Sequence, residues 1–365
     1  MTNNSTTTPS IVEDLTPATG TVDIELLLDN IDKYISAHAI LPKGASAAIT
    51  LWCLASYNIN CFRILPRLAI TSPEKRCGKS TVLDLIEAFS HKALITSNMT
   101  SATIFRLIDK EQPTLIIDEA DTFVANGSSE MTGIINSGHA ESRANIARCV
   151  GDGNDVKVFS TWAPMVLAAI GSLPSTIMDR SVIITLRRKL SSESSLRIDV
   201  SLKKNALNVR EDLLRWSLDN TKEIINNHVE PPNLGNDRAV DNWLPIFTIA
   251  SLVSDAWLKK CEDAYTLLTD HGDEIELSTS LLADIREIFD IHNDDKLPSA
   301  ELVEKLIEDK DKPWCEHKHG RAISPNNVAT ILKAYKIKPK SIRIGNKTLR
   351  GYELEQFKDA FDRYL

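Results

Sequence analysis

The spacing of apolar positions divides the N-terminal part of the chain into a polar tail and a helical unit. Between Val22 and Tyr57, apolar residues recur every three or four positions, in DIELLLDNIDKYI and GASAAITLWCLASY. This period predicts two helices, and the second is more buried because most of its residues are apolar. Residues 1–20 are rich in Thr, Ser, Asn and Pro with few large apolar groups, which predicts a disordered tail. The helical unit is expected over residues 21–62.

The next stretch alternates short apolar runs with amphipathic ones, an order typical of a parallel sheet covered by helices. A hairpin is predicted for ARCVGDGNDVKVFST, with its turn at GDGN. The predicted fold class is therefore α/β, with this core at residues 63–190. Buried strands are expected at 67–72, 93–97, 114–118, 164–170 and 181–187, and helices at 79–89, 101–110 and around 130–137.

Beyond residue 190 the strand pattern ends. Residues 191–291 carry long amphipathic runs and predict a helical lid. Residues 292–365 show three helical patterns and the short basic segment SIRIGNKTLRGYEL, with turn residues at Gly345 and Asn346. Helices combined with one small hairpin predict a winged-helix-like C-terminal domain.

The strongest chemical signal is SPEKRCGKST at residues 72–81, between a predicted strand and a predicted helix. A P-loop needs this context, because its backbone N–H groups and the following helix start then point at phosphates. Lys79 is expected to reach the β- and γ-phosphate oxygens, and Ser80 or Thr81 to ligate Mg²⁺. Pro73 stands where the pattern GxxxxGK[ST] has its first Gly. Predicted nucleotide-binding residues are Pro73, Glu74, Lys75, Arg76, Cys77, Gly78, Lys79, Ser80 and Thr81.

A second signal follows the P-loop at the spacing of a Walker B strand. TLIIDEAD, at residues 114–121, is an apolar run that ends in carboxylates 39 residues after Lys79. Asp118 is expected to support Mg²⁺, and Glu119 to polarise the attacking water. Cys77 is either a thiol made acidic by the helix start or a small filler.

The order of strands and helices resembles that of AAA+ ATPases, with one extra βα unit between the two Walker segments. That resemblance implies a γ-phosphate sensor at Ser172, where the usual Asn is missing, and a catalytic arginine finger at Arg180 that acts on a neighbouring subunit. It also implies a second nucleotide sensor at Arg238, acting within its own chain. The competing interpretations are surface ion pairs, for Arg180 with Asp179 or another carboxylate, and for Arg238 at the start of a helix.

Over roughly residues 45–365 the sequence resembles a family of P-loop ATPases of phages, plasmids and genomic islands. The family is catalogued under a domain of unknown function and often lies behind a primase-polymerase domain. The resemblance rests on PRLAITSPEKRCGKSTVLDLIEAF, PTLIIDEADTF, IINSGH, FSTWAPMVLAAIGSLPSTIMDRSVIITLRRK, DRAVDNWLPIFTIA and LLADIREIF. It implies an AAA+-like or superfamily-three replication ATPase, described as a helicase, with a replication partner or primase supplied separately.

Charge and composition restrict the partners. The 365 residues carry a net charge of −8, so any nucleic-acid surface must be local. Residues 296–365 hold 15 Lys and Arg against 10 Asp and Glu. Six scattered cysteines, no basic or apolar leader and no transmembrane stretch predict a cytoplasmic protein with reduced thiols. The predicted DNA contacts are Arg148 and Lys157 in the hairpin, and Lys336, Lys338, Lys340, Arg343 and Lys347 near the C-terminus; an ordinary hairpin and a solvated basic face are the alternatives.

The resulting hypothesis is an ATP- and Mg²⁺-dependent DNA motor that replicates or maintains a mobile element. It is expected to bind single-stranded DNA and to form a homo-oligomer, for which a hexameric ring is one arrangement, without membrane association. The alternatives are a nucleotide-driven switch or loader that binds DNA or a protein without processive unwinding, for example in anti-phage defence, and a regulatory ATPase with an operator-binding C-terminus.

Overall fold

The structure is a computed structural model, and the chain divides into two compact units between residues 270 and 271. Within the described residues, no helix is both long enough and apolar enough to cross a membrane. The described residues are 11–365 apart from 98, 126–128, 151–154, 172, 191, 200, 228, 233–236, 270–271, 293–294, 310–311, 317–321 and 346.

The first unit is built on a five-stranded sheet in the order β2-β3-β6-β1-β7, in which all neighbouring strands are parallel. The predicted α/β class and the five predicted strands are confirmed. β1 and β6 are almost entirely buried, which explains why their sequences are continuous apolar runs. The strands of this unit are β1 (Arg67–Ser72), β2 (Ala93–Thr96), β3 (Thr114–Ile117), β4 (Asn145–Val150), β5 (Asp155–Ser160), β6 (Met165–Ile170) and β7 (Ser181–Thr185).

Helices cover both faces of this sheet, and two apolar clusters form the core on its two sides. Trp52 lies in the larger cluster, and its indole Nε1–H donates to the carbonyl oxygen of Pro66 at 2.9 Å, just before β1. The helices of this unit are α1 (Ile24–His38), α2 (Ala45–Ser56), α3 (Lys79–Phe89), α4 (Ser101–Glu111), α5 (Ala120–Ala125), α6 (Ser129–Ser137), α7 (Ser175–Met178), α8 (Leu202–Asn205), α9 (Leu207–Asp219), α10 (Thr221–Asn226), α11 (Asp237–Val253) and α12 (Asp255–Thr269).

The prediction of a disordered tail over residues 1–20 is wrong for its second half. Residues 11–20 lie against the first unit: Val12 is buried, and Glu13 pairs with the buried Arg210 at 2.7 Å. Asp14 pairs with Lys92 at 2.9 Å, and the Ala18 N–H donates to the Glu211 carbonyl. Ion pairs at two points and one apolar anchor therefore order a segment whose composition lacks a hydrophobic core of its own. Residues 1–10 lie outside the described part of the chain.

The segment that leaves β7 differs from the predicted lid. Residues 186–199 contain neither helix nor strand where they are described, and the helical region begins only at α8. Because Leu196 donates its N–H to the Ala37 carbonyl at 2.9 Å, the extended chain is held against the end of α1 rather than wound into a helix. α8 to α12 then supply the predicted helices.

The second unit begins earlier than the predicted domain at residues 292–365. Its first helix packs with the three later ones, so its apolar side chains belong to the C-terminal core instead of a lid. The elements are α13 (Gly272–His292), β8 (Lys296–Pro298), α14 (Ser299–Glu308), α15 (Pro325–Leu332), β9 (Lys340–Ile344), β10 (Lys347–Glu353) and α16 (Lys358–Tyr364). The three strands form an antiparallel sheet in the order β8-β10-β9. Three helices thus precede the predicted hairpin, and β8 is a strand that the sequence pattern did not reveal.

Candidate functional site

The predicted P-loop follows β1 at the carboxyl edge of the parallel sheet, the edge where open α/β sheets bind ligands. Gly78 has φ +86°, a left-handed conformation that favours glycine, and α3 starts at the next residue. Arg76 also has a positive φ, of +67°. Two left-handed residues turn the chain sharply from the strand into the helix, so that the loop opens toward the start of α3.

The start of α3 has the features of an anion-binding helix N-terminus. Gly78 is its N-cap and has no side chain to bond the first-turn N–H groups, and Lys79, Ser80 and Thr81 form a first turn without acidic residues. Uncapped N–H groups and the positive end of the helix dipole attract phosphates. Within the loop, Ser72 donates its hydroxyl to the Glu74 carbonyl at 2.8 Å, which fixes the exit from β1.

Cys77 fills space beneath the loop. Its side chain is buried, and its Sγ lies 3.9 Å from the Lys75 carbonyl oxygen. Burial raises the pKa of the Cys77 thiol, and nearby hydrogen bonds and the Lys79 charge only partly oppose this. Burial and the raised pKa favour the filler interpretation over that of an acidic, reactive thiol.

Lys79 faces a group of carboxylates from the tip of β3. Partial burial lowers the pKa of the Lys79 ammonium, and the negative charges of Asp121, Asp118 and Glu119 oppose that shift. The strand order explains the meeting: only β6 separates β3 from β1, so residues that follow both strands share one edge. The structure thus places the predicted P-loop and the predicted Walker B segment at the same edge of the sheet.

The charge of Asp118 reaches α3 from the end of β3. Burial raises the pKa of Asp84 in α3, and the charges of Glu87 and Asp118 raise it further. Ser80 and Asp84 are four residues apart and share a face of α3. Hydroxyl and carboxylate oxygens suit Mg²⁺, which is usually held by one or two carboxylates together with substrate phosphates and waters. Ser80 and Asp118 therefore fit the predicted metal site.

Glu119 has a strained backbone. It is the residue after Asp118 and has φ +55°, which is uncommon for a residue other than glycine. Its N–H donates to Asp118 Oδ1 at 2.8 Å, and its carbonyl accepts from the Thr122 hydroxyl, also at 2.8 Å. Strain of this kind costs roughly 1–3 kcal/mol and is concentrated at functional sites. These bonds hold the exposed Glu119 side chain beyond the end of the strand, as the predicted base requires.

Asp121 is a site residue that the sequence did not single out. Its Oδ1 accepts the Ile170 N–H at 3.2 Å, so it fastens the start of α5 to the end of β6. Among the carboxylates that act on Lys79, it has the largest effect on the lysine pKa. The only signal for it was the letter pattern DEAD, in which three of four residues are acidic.

The predicted sensor Ser172 lies outside the described residues. Its neighbour Gly171 is described: it has φ +76°, and its N–H donates to the Ser72 carbonyl at 2.9 Å. The end of β6 is therefore fastened to the first turn of the P-loop, which is where a phosphate sensor would lie.

Arg180 and Arg238 lie at the opposite, amino edge of the sheet. Arg180 precedes β7, and its carbonyl accepts the N–H of Arg67, the first residue of β1. Six residues of β1 separate this edge from the P-loop, a distance of roughly 17 Å. Arg238 forms an ion pair with Asp179 there. The expectation that Arg238 contacts nucleotide in its own chain is therefore wrong in this structure, and the surface ion pair is confirmed.

The Arg180 side chain lies near other positively charged side chains. Its Nη1 donates to the Thr176 carbonyl at 2.6 Å. Burial lowers the pKa of Arg180, and the nearby charges of Arg238 and Arg143 lower it further, against the opposing effect of Asp179. From this edge Arg180 is far from the predicted P-loop of its own chain.

The two predicted basic contacts of the hairpin are engaged inside the chain. β4 and β5 pair antiparallel with Arg148 opposite Lys157, and the turn at residues 151–154 lies outside the described part. Arg148 pairs with Glu130 at 2.6 Å, and Lys157 lies 3.6 Å from Asp109. Their cationic groups also lie over the rings of Phe105 and Phe159 respectively. The ordinary-hairpin alternative therefore describes both residues in this structure.

The C-terminal hairpin presents a basic face. Cross-strand pairs Ser341–Arg350 and Arg343–Thr348 point to one side of β9 and β10, and all four residues are exposed. Lys340 does not share this role, because it pairs with Glu353 at 2.6 Å. The other predicted contacts Lys336, Lys338 and Lys347 are exposed. Arg350 is the residue that the sequence prediction omitted.

A family model and one relative match parts of the chain. Residues 185–364 match the family described as "Protein of unknown function (DUF3631)". The chain is also similar to an "Uncharacterized 28.9 kDa protein in xis 5'region" of Saccharopolyspora erythraea, with 30% identity over 140 residues. That match covers 37% of this chain and 52% of the relative, so the chain spans about half the length of this relative.

Two solved structures show distant similarity. "The A form apo structure of NrS-1 C terminal region-CTR" aligns with a TM-score of 0.34 and 14% identity, and covers 95% of this chain and 79% of that one. "The A form apo structure of NrS-1 C terminal region-CTR(305-718)" gives a TM-score of 0.32 and 13% identity, with 93% and 77% covered. Scores of this size carry no conclusion about function.

Proposed function

We propose that this chain is an ATP- and Mg²⁺-dependent ATPase of the AAA+-like type that moves along or unwinds DNA for a mobile genetic element. The observation that carries the ATPase part is that Lys79, at the start of α3, and the carboxylates Asp118, Glu119 and Asp121, which follow β3, share the carboxyl edge of the sheet. A lysine at a helix start, facing carboxylates across one strand, is what phosphoryl transfer from a nucleotide requires. The mobile-element part rests on the sequence resemblance alone.

Each residue of the site has a role in this proposal. Lys79 and the N–H groups at the start of α3 hold the phosphates, while Ser80 and Asp118 hold Mg²⁺, which neutralises charge on the phosphates. Glu119 accepts a proton from, or orients, the attacking water. Asp121 positions Lys79 and the end of β6 through its bond to Ile170.

The nucleic-acid part of the proposal draws on the C-terminal unit. Helices α14 and α15 followed by the β9–β10 hairpin support a winged-helix-like domain, in which α15 is the recognition-helix candidate. The guanidinium groups of Arg343 and Arg350, with the hydroxyls of Ser341 and Thr348, suit phosphate oxygens. We assign the DNA backbone to this face.

Oligomerisation follows from the position of Arg180 in the proposal. Its guanidinium neutralises the γ-phosphoryl group of a neighbour's nucleotide, because its own P-loop lies across the sheet. Mixing Arg180→Ala with Lys79→Ala protein then restores part of the turnover, since each variant supplies what the other lacks. A mixture no more active than its components would refute the shared site.

A second candidate function is the nucleotide-driven switch or loader. It is favoured by the ion pairs of Arg148 and Lys157, which occupy the two hairpin cations that a translocating ring would use to grip a strand. A switch needs nucleotide-dependent binding of DNA or a protein and no strand separation.

Steady-state ATP hydrolysis tests the proposal, with wild type, Lys79→Ala and Glu119→Gln measured with and without single- and double-stranded DNA. We expect Glu119→Gln to bind ATP and to lose roughly 10²–10⁴-fold in turnover, and Lys79→Ala to lose binding. Stimulation of wild type by single strands supports the motor, and turnover indifferent to DNA supports the switch. Wild-type turnover in both variants would refute the site assignment.

A further inference from the structure

The chain that follows β7 runs beside the P-loop. β7 is the neighbour of β1 on the side away from β6, and Thr71 and Thr185 are paired, with hydroxyl oxygens 3.1 Å apart. The Leu186 N–H then donates to the Thr71 carbonyl at 2.7 Å, so the pairing continues one residue past the strand. Residues 187–189 are therefore level with the first residues of the P-loop.

Of the three consecutive cations at 187–189, Arg188 is the one that reaches the P-loop. Its Nη1 lies 3.4 Å from Glu74 Oε1. Arg187 is paired with Glu193 on its other side, and the Leu190 N–H donates to the second oxygen of Glu193 at 2.9 Å. Successive side chains of an extended chain point in opposite directions. Because Arg187 points away from the predicted P-loop, Arg188 points toward it.

Glu74 is an unfavourable residue for a phosphate-binding loop unless its charge is balanced. Its carboxylate stands in the segment that would surround anionic phosphates, where like charges repel. The pair with Arg188 balances it, yet the side chains are 44% and 24% exposed for Arg188 and Glu74. A water-exposed ion pair at this separation contributes little free energy, so Arg188 can exchange Glu74 for a group that binds it more tightly. A phosphate group is such a partner for a guanidinium, because it accepts two parallel hydrogen bonds.

We propose that Arg188 is the arginine that binds nucleotide within its own chain: it pairs with Glu74 in this structure and with the phosphates of a bound nucleoside triphosphate. The inference rests on the proposed ATPase function and deepens it. It gives Arg188 the role that the sequence resemblance implied for Arg238, which lies at the other edge of the sheet. Exchange of Arg188 between Glu74 and phosphate pulls on the extended segment 186–199, which leads to α8.

Equilibrium binding of a fluorescent ATP analogue with Mg²⁺ tests the inference. The proteins are wild type, Arg188→Ala, Glu74→Ala, the double variant, and Lys189→Ala as a control that removes the adjacent cation. Lys189 contacts the Ser195 hydroxyl and not the loop. We expect Arg188→Ala to weaken ATP binding about tenfold, and Lys189→Ala less than about twofold. The double variant should still bind ATP more weakly than wild type, because the contact with the ligand is lost even when the repulsion from Glu74 is removed.

Competition with AMP separates phosphate recognition from a general loosening of the loop. Arg188→Ala should lose affinity for ATP and keep its affinity for AMP, and Arg188→Lys should recover part of the loss. Unchanged ATP affinity in Arg188→Ala would overturn the inference, as would a double variant that binds like wild type, since Arg188 would then only balance Glu74. Wild-type protein that binds no nucleotide would instead refute the proposed function itself.

Discussion

Arg67 offers the most direct test of how the sheet is held at its amino edge. Its side chain is completely buried at the first position of β1. Its Nε and Nη2 donate to the Ile135 carbonyl at 3.2 and 2.8 Å, and its Nη1 donates to the Ala163 carbonyl at 2.8 Å. One guanidinium thus joins β1 to the end of α6 and to the segment before β6. Arg67→Met keeps most of the side-chain volume and removes all three donors.

The expected loss follows from the two carbonyls left without a partner. A buried polar group that loses its hydrogen bond costs about 1–3 kcal/mol, so two of them cost roughly 2–6 kcal/mol. Part of this loss of stability is offset, because burying the guanidinium is itself unfavourable. Burial, and then the charge of Arg180, lower the pKa of Arg67 to about 9. We expect the free energy of unfolding to fall by about 3 kcal/mol.

Urea unfolding at pH 7 measures this change, and Arg63→Met is the matched control. Arg63 lies four residues earlier and is exposed, so the same substitution there should change the free energy of unfolding by less than about 0.5 kcal/mol. If Arg67→Met were as stable as the control, the three hydrogen bonds would contribute nothing and the reasoning would fail.

Two further predictions concern the same edge, and a third concerns the C-terminal hairpin. The Asn242 amide donates to the Asp179 carbonyl, which leaves its oxygen for His139 Nε2 at 2.7 Å, and burial lowers the pKa of His139 to about 4. The unfolded chain takes up a proton near pH 6.5 and the folded chain only near pH 4, so stability falls between these values as pH falls. His139→Gln should flatten this dependence in urea titrations, and an unchanged slope would contradict it. Gly138→Ala should lower the melting temperature, because its Cβ would overlap the Thr161 carbonyl oxygen, whereas Gly133→Ala in α6 has open space and should raise it; equal shifts would exclude the overlap. Replacing both Arg343 and Arg350 with Ala should reduce the salt dependence of DNA binding by about two units of slope, and Lys358→Ala on α16 should leave it unchanged; equal slopes in all three proteins would remove the proposed DNA face.

Local sequence patterns located the elements of the carboxyl edge of the parallel sheet. The apolar runs at 67–72 and 114–118 are strands because both faces of a parallel sheet are covered, and such strands need no alternation of apolar and polar residues. Gly78 marked the left-handed turn into α3, and Asp118 marked the end of β3. These signals depend on residues near one another in sequence, so reading them required no knowledge of the sheet order.

Boundaries between units were predicted less well, because composition does not tell against which core a segment packs. Residues 11–20 fall within the predicted disordered tail, yet Arg210, nearly two hundred residues later, binds Glu13. α13 has the pattern of a lid helix, yet its Leu281, Ile285 and Phe289 are buried with Trp314 and Phe357 in the C-terminal core. Both outcomes depend on partners distant in sequence.

The sequence by itself determined the α/β class, the strand-loop-helix order around residues 72–81, the carboxylates after β3 and the basic character of the C-terminal hairpin, because each follows from short-range periodicity or spacing. The tertiary structure decided which cations can serve the site. Strand order places Arg188 beside Glu74 and places Arg238 with Asp179, a full strand length away. The register of β9 and β10 places Arg343 and Arg350 on one face of the hairpin, while Lys340 forms an ion pair with Glu353. The sequence alone does not distinguish one Lys or Arg from another in this respect. The fold decides at which edge or face each side chain lies, and therefore which charged groups it contacts.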